Sequence, residues 1–597
     1  MTTTTETQLD SATRYGLVAL AITQGYALYF LHFAVENSMW PVTELPWLKA
    51  FYSVAIGLPV FFYLGMERLK DRRTLIAGAG LGVLLFGLGW HLGWVEEGAS
   101  TSSHNRHPFT PAFVVSVGVA LFIVNMLVRT WNADGDPRLR YERMLSFSWQ
   151  QALTIGQLGL FVGAFWLLLF LWGGLFSAIG IGFFKELFDS IAFIYPVTWL
   201  VMGLGLIHIR ERIRFIATVQ VMCEVLIKAL LPLAAGIVLL FLATLPFTGV
   251  QPVWDTGSAA TLMMLLTLVL LFCFNAVLLN SDRDYRPSLR YLVMVAVASL
   301  PVSSVLAAWA LWLRIDQYGI TVDRLWAATV LLLICGFSFS YAILIVWRRN
   351  DCLAPIRAAN CWLAVFVVGV LLVVNSPLAD LRKWAAKSQA ERLLDGRTSP
   401  SSFDYAYLRF DLGTYGMRAL KQIEGSELAK RDPEIASRVA AVRKQEHRWS
   451  REPEVDLTDM TAVASMLRST EALPETLLAR IAASQKDCMQ SEAECMAIRP
   501  SLAPEQTRAV DWLVFRTARY ISGSAYKLED GQWLETGTVS SNCRPETDFT
   551  RPEHLDRVDG PFLAYYFKNC FYTVTPTEVH LRQLARQPHQ SAAAESD

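Results

Sequence analysis

Apolar runs of about twenty residues, separated by short polar loops, follow one another from residue 14 to Asn375. Each is long enough to cross roughly 30 Å of hydrocarbon at about 1.5 Å per residue. The pattern predicts eleven spanning helices, near 14–35, 47–66, 74–94, 110–131, 151–173, 190–209, a seventh ending near Phe247, then 259–279, 291–313, 325–347 and 361–375. The seventh begins somewhere in 216–229, and the eleventh is the shortest. Gly16–Val35 is too long for a signal-peptide core and lacks a small-residue cleavage site, so it reads as a retained first span.

From Ser376 the long runs stop. Pro377–Leu394 reads as a helix ended by Gly396, continuing the last span as a stalk. Ser401–Arg409 and Thr414–Ile423 read as short helices, and Pro433–Trp449 and Pro474–Met496 as longer ones opened by proline. After Gln506 the period changes to that of strands: Val510–Arg516, Gly523–Leu528, Trp533–Val539 and Phe562–Thr573, with Asp530-Gly531 as a hairpin turn. The expected fold class is an α-helical polytopic membrane protein of about 11 transmembrane helices, N-terminus in and C-terminus out, with a C-terminal α+β soluble domain. Its expected parts are a bundle at 1–375 and a periplasmic domain at 376–597: helical over 376–505, a small antiparallel sheet over 506–575 and a disordered tail over 587–597.

Composition agrees: 53% of the 597 residues are hydrophobic and 18% charged, more apolar and less charged than an average soluble protein. Net charge is zero, which implies no bulk attraction to nucleic acid. The distribution of charge says more. Alternate loops carry Arg68, Lys70, Arg72, Arg73, Arg138, Arg140, Arg143, Arg210, Arg212, Arg214, Arg283, Arg286, Arg290, Arg348, Arg349 and Arg357; the opposite loops carry only Arg106, Lys185, Arg314 and Arg324. That 16-to-4 split places the N-terminus in the cytoplasm and, with an odd number of spans, the region after Asn375 on the far side.

Five cysteines, at 223, 273, 335, 352 and 361, lie in or beside the spans. Cys488, Cys495, Cys543 and Cys570 all follow them; an even number in an oxidising compartment predicts bridges, and local spacing favours Cys488–Cys495 and Cys543–Cys570. There is no CxxC or nearby His pair to hold a metal.

Polar groups within the runs are His32, His91, Asn125, Gln157, His208, Glu224, Lys228 and Asn275, the default places to look for function in a membrane. Glu224 and Lys228 are four apart and share a helix face, either as a buried ion or proton site or, the favoured reading, within an amphipathic lead-in over 216–228 with the span starting at Ala229. The histidines lie near span ends, where a solvated or capped ring is expected, and the asparagines read as interhelical hydrogen-bond partners. Gly78 with Gly82, Gly89 with Gly93, and Gly159 with Gly163 have the spacing that lets helices approach closely within one bundle.

Arg314–Trp326, RIDQYGITVDRLW, packs four charges between two apolar runs. It reads as a joint in which Gly319 ends one helix, Thr321 caps the next and Asp323 sits in its first turn. Trp309, Trp312 and Trp326 flank it as an aromatic belt, with Arg314 and Tyr318 at interface depth. Arg314, Asp316, Tyr318 and Arg324 form the candidate binding set; its two arginines break the sidedness and are expected to bind the region after Ser376 or an anionic lipid headgroup.

Together with SQAERLLDGRTSPSSFDYAYLRFDLGTYGMRAL at Ser388–Leu420, this segment resembles the bacterial domain-of-unknown-function family 4153. The resemblance implies a polytopic bacterial inner-membrane protein and brings no activity, cofactor or site residue. FDYAYLRFDLGTYG reads either as an aromatic surface for a glycan or peptide or, more simply, as helix packing with Phe403, Tyr407 and Phe410 on one side.

The chain holds no HExxH, GxSxG or GxxxxGK[ST] motif, and no basic aromatic patch for nucleic acid. The favoured reading is a non-enzymatic transport or cell-envelope role in the bilayer, without cofactor, with an anionic headgroup or a periplasmic protein as the candidate partner. A glycosyl- or lipid-modifying transferase would use acids in the first external loop, where Glu36 and Glu44 stand without an Asp pair. An envelope scaffold or sensor is the third class.

Overall fold

The computed structural model describes residues 10–98, 110–134, 140–211, 213–278, 285–445, 448, 459–469, 471–485, 488–489, 495–499, 510–517, 521–529, 531–541, 556–558, 563–567 and 570–576. The chain forms two compact units, Met1–Arg443 and Lys444–Asp597.

Among the described residues of the first unit, eleven helices are long and apolar enough to cross a membrane. They are α1 (Ser11–Glu36), α2 (Leu45–Gly65), α3 (Arg72–Glu97), α4 (Thr110–Asp134), α5 (Tyr141–Ala178), α7 (Ile191–Arg210), α8 (Ile213–Thr248), α10 (Ala259–Val277), α11 (Pro287–Tyr318), α12 (Val322–Arg348) and α13 (Leu353–Val374). Two short helices, α6 (Phe183–Asp189) and α9 (Gln251–Asp255), sit in loops between them. Several helices outrun their apolar stretch. α5 has 38 residues and α11 has 32, because a helix continues through polar residues once its hydrogen-bond ladder is nucleated. α8 likewise runs unbroken from Ile213, so residues 218–228 are helical and continuous with the seventh span.

Two apolar cores fill most of the bundle. One joins α8, α10, α11, α12 and α13 around Leu270, Phe274, Leu300 and Tyr341. The other joins α2, α3 and α4 around Phe61, Leu85, Leu88 and Val117. α2 and α3 meet closely because Gly89 and Gly93 leave no side chain between them: a Cβ on Gly93 would run into the carbonyl of Leu45, and one on Gly89 into Ser53 and the backbone of Lys49. Gly159 and Gly163 differ from the expectation: among the described residues nothing lies within 4 Å of a Cβ placed on either.

The helices after Asn375 belong to the bundle's unit, not to a separate domain starting at residue 376. They are α14 (Leu381–Leu394), α15 (Tyr405–Asp411), α16 (Gly413–Glu424), α17 (Glu427–Arg431) and α18 (Pro433–Lys444). α14 is no stalk: a turn at 375–380 separates it from α13, and Asp380 caps it by accepting from the backbone N–H of Arg382. These helices share a core of Ala386, Leu393, Phe403, Leu408, Leu420, Ile423 and Val439, onto which Val322 and Leu325 of α12 pack. We call them the cap. It sits at the bundle end opposite the arginine-rich loops, where α3, α11 and α13 finish and α12 begins.

Among its described residues, the second unit holds α19 (Met460–Ser465), α20 (Glu475–Ser484) and an eight-stranded sheet in the order β1-β2-β3-β4-β5-β8-β7-β6. Its strands are β1 (Leu467–Ser469), β2 (Cys495–Ile498), β3 (Trp512–Thr517), β4 (Ile521–Glu529), β5 (Gln532–Ser541), β6 (Asp556–Val558), β7 (Leu563–Phe567) and β8 (Cys570–Pro576). The sheet is mixed, since β1 pairs parallel with β2. The helix expected over Pro474–Met496 stops at Ser484, and its last residues form β2 instead, tied by the Cys488–Cys495 disulfide. The strand expected over Phe562–Thr573 is a hairpin of two strands. Gly531, at φ +79°, occupies the β4–β5 turn where only glycine turns freely. Cys543, Asp530 and the tail at 587–597 lie outside the described residues.

Candidate functional site: the joint between bundle and cap

Two contacts seat the cap, and only one of them involves the segment that stood out in the sequence. At Arg314–Trp326, Gly319 takes φ +78° and ends α11, and Thr321 caps α12 by accepting from the N–H of Arg324. The cap reaches this turn through backbone carbonyls. Gln389 donates to Ile320 at 2.9 Å, and Arg392 donates to Asp316 at 3.2 Å and Gln317 at 3.0 Å. The Val322 N–H donates to the Tyr407 hydroxyl at 2.9 Å. A Cβ on Gly319 would meet Arg392 Cδ at 2.6 Å, so the glycine serves both the turn and the contact.

The two arginines of the segment hydrogen-bond to carbonyls of the bundle, although Arg324 lies near enough to Tyr407 of the cap for the two to interact electrostatically. Arg324 folds back on the Gly319 carbonyl and lies over the Tyr318 ring, 5.4 Å from its centroid. Arg314 reaches the Gly257 carbonyl at 3.4 Å, in the loop before α10. Asp316 and Tyr318 contribute backbone carbonyls to the cap contact while their side chains are exposed.

The second contact is ionic and buried. His91, two turns before the end of α3, places Nε2 2.7 Å from Oδ2 of Asp380. Arg382 grips the same carboxylate with two side-chain hydrogen bonds, both 2.8 Å. Asp380 is fully buried and the other two nearly so. Burial alone would raise the Asp380 pKa; hydrogen bonds from His91 and Arg382, with the Arg382 charge, reverse that and hold it down to about 2. The carboxylate is therefore ionised and accepts only, so His91 Nε2 carries the shared proton.

Around this cluster, FDLGTYG finds its purpose. Thr414 donates to the Trp94 carbonyl at 2.7 Å and Arg409 to the Gly98 carbonyl at 3.1 Å, satisfying groups left open at the end of α3. Gly413, at φ +55°, lies so close to the Val95 carbonyl that no Cβ fits. Tyr415 meets the Trp94 ring edge-on at 5.4 Å, and Arg418 stacks over that ring at 4.9 Å. The motif is thus a packing surface. Phe403 and Tyr405, in the FDYAYLR that precedes it, are buried in the cap core.

Beside it lies an ion pair that sequence reasoning missed. Lys49 of α2 and Glu96 of α3 meet at 2.7 Å with 9% and 2% of their side chains exposed, and Thr110 bridges them. Lys49 was hidden in an apolar run, PWLKAFYSVAIG, where a single charge barely changes the hydropathy. Arg129 was missed for the same reason: it lies buried in α4, bonded to Gln150.

The remaining intramembrane residues are dispersed. Asn275 of α10 accepts from Tyr341 at 2.7 Å and from Asn360 at 2.7 Å, a polar knot linking α10, α12 and α13. Glu224 accepts from Gln220 on its own helix, and the Lys228 carbonyl accepts from Tyr285. Asn125 donates to the Phe61 carbonyl and accepts from Gln151, as an interhelical link. A void beside Leu231, Phe274 and Met294 measures about 10 Å³, the room of a single water. Among the described residues no group of three or more His, Cys, Asp or Glu side chains could hold a metal.

No curated protein and no solved structure matches the chain. A family model matches residues 16–423, which takes in all eleven spans and the cap as far as α16, and stops before the sheet unit. The chain therefore belongs to the family described as domain of unknown function, DUF4153, as a multi-pass membrane protein whose family-defining part is the bundle with its docked cap.

Proposed function

We propose that this protein is a non-enzymatic platform of the bacterial inner membrane, with its N-terminus in the cytoplasm and its cap and sheet unit on the periplasmic side, serving an envelope-linked role. The observation that carries the reading is the His91–Asp380–Arg382 cluster. A buried, fully hydrogen-bonded charge joining α3 to the cap fixes one arrangement of the two, as a presenting surface requires. The arginine asymmetry supports the orientation. The Cys488–Cys495 bridge suits an oxidising compartment.

A photo-crosslinking residue at exposed Lys421 of α16 tests the role in intact cells. The platform reading expects capture of periplasmic or outer-envelope components. Capture of cytoplasmic proteins, or solute flux in proteoliposomes of the purified chain, would contradict it. Glu36→Gln with Glu44→Gln separates the transferase: lost cellular function with intact folding would favour an enzyme.

A further inference from the structure

A groove of about 230 Å³ opens where the end of α11 meets α14. It is lined by apolar Trp312, Ile315 and Ile320 and by charged Asp316, Glu391, Arg392, Asp395 and Arg397, which form its rim. Trp312 is 60% exposed and Trp309, one turn before it, 54% exposed. Large exposed indoles in the last turns of a spanning helix mark the membrane–water boundary. The groove therefore opens at headgroup depth, with Trp312, one turn before Asp316 on α11, on its membrane side.

The rim carries three carboxylates and two guanidiniums. Arg392 spends its terminal nitrogens on the Asp316 and Gln317 carbonyls. Arg397 is exposed, 3.6 Å from Asp395, and open to a ligand. A ligand of net negative charge would meet the carboxylates, and a simple cation would meet the guanidiniums. A headgroup with a phosphodiester and a primary ammonium satisfies both: the phosphate faces Arg397, and the ammonium donates to Glu391 or Asp395. A trimethylammonium has no N–H to donate and gains less from carboxylates. The volume is below the roughly 300–1,000 Å³ of pockets that enclose drug-sized molecules, so it suits a headgroup whose tails stay in the bilayer.

We propose that this groove binds a zwitterionic aminophospholipid headgroup, of the phosphoethanolamine class. The proposal concerns the boundary of the bundle and does not depend on the platform role. The test is native mass spectrometry of the full-length protein in detergent, offered phosphatidylethanolamine, phosphatidylcholine and phosphatidylglycerol with identical tails. One phosphatidylethanolamine per chain should be retained, with a preference of about tenfold over the other two, as one well-made charge-assisted contact allows. Glu391→Gln with Asp395→Asn should abolish the preference over phosphatidylcholine, and Arg397→Gln should lower retention of all three. These rim side chains are exposed, so thermal melting should be unchanged and serves as the folding control. Glycerophosphoethanolamine should displace the bound lipid, showing that the headgroup carries recognition. Equal retention of the three lipids, preference for phosphatidylglycerol, wild-type discrimination in the carboxylate variant, or no displacement at saturating glycerophosphoethanolamine would each overturn the proposal.

Discussion

The cap meets the bundle in two places that differ in almost every physical respect. At the α11–α12 turn the contact is exposed, and neutral carbonyls accept from Gln389 and Arg392. At the end of α3 it is buried, and a carboxylate with no solvent exposure is shared by His91 and Arg382. The first is rich in charged residues in sequence yet spends few charges on the contact; the second is poor in charge and spends all it has. The lesson is about where interaction energy concentrates. A charge in water is already satisfied, so adding a partner changes little, whereas a charge out of water depends on its partners entirely.

Asp380→Asn should therefore have the largest effect. It leaves Arg382 buried without its counter-charge, and removing one partner of a buried pair costs about 3–5 kcal/mol. The expected readout is selective proteolysis within 381–443 while α1–α13 stay intact. Lys49→Met should cost a similar amount because it strands Glu96, but Lys49→Met with Glu96→Leu should recover most of the loss, since a buried pair replaced by apolar groups is often neutral. Measured melting of the two single variants and the double variant would expose a failure to couple.

Acid probes the same contact more gently. The Asp380 pKa is lowered in the folded state, to about 2, from an unfolded value near 3.9. The unfolded chain thus binds the proton first, and the stabilisation is complete above about pH 4 and lost as pH falls toward 2. It amounts to about 2 to 3 kcal/mol, and Asp380→Asn should erase that part of the acid sensitivity. The exposed contact should respond least. Arg392→Ala should cost about 1 kcal/mol by losing two carbonyl hydrogen bonds. Arg314→Ala should stay within about 0.5 kcal/mol, as an exposed substitution.

What the sequence could reveal follows from the same contrast. Apolar runs and the arginine asymmetry are one-dimensional signals, and all eleven spans were legible from them. The Gly319 turn and the Thr321 cap were legible because their chemistry is local. The Cys488–Cys495 bridge closes a short loop, and its spacing pointed to it. His91 and Asp380 are 289 residues apart, and nothing along the chain connects them. His91 read as a ring near a span end, which it is; its partner could be seen only once the cap was in place. FDYAYLRFDLGTYG read as helix packing, with an aromatic ligand surface as the alternative, but what it packs against was hidden, because its glycines answer to the carbonyls of Val95 and Leu408, which the sequence does not put beside them. β1 and β2 escaped notice because strands of three and four residues carry no readable alternation.

The central claim is that residues 381–443 are part of the membrane body, locked there by Asp380. Hydrogen–deuterium exchange of the purified full-length protein measures this directly, comparing wild type with Asp380→Asn. The account predicts that α14 and α16 in the wild type exchange as slowly as α3 and α12. In the variant their exchange should rise by about two orders of magnitude while the sheet unit stays unchanged, as expected for losing a buried contact worth about 3 kcal/mol. Fast exchange of α14 and α16 in the wild type, or no change in the variant, would contradict it.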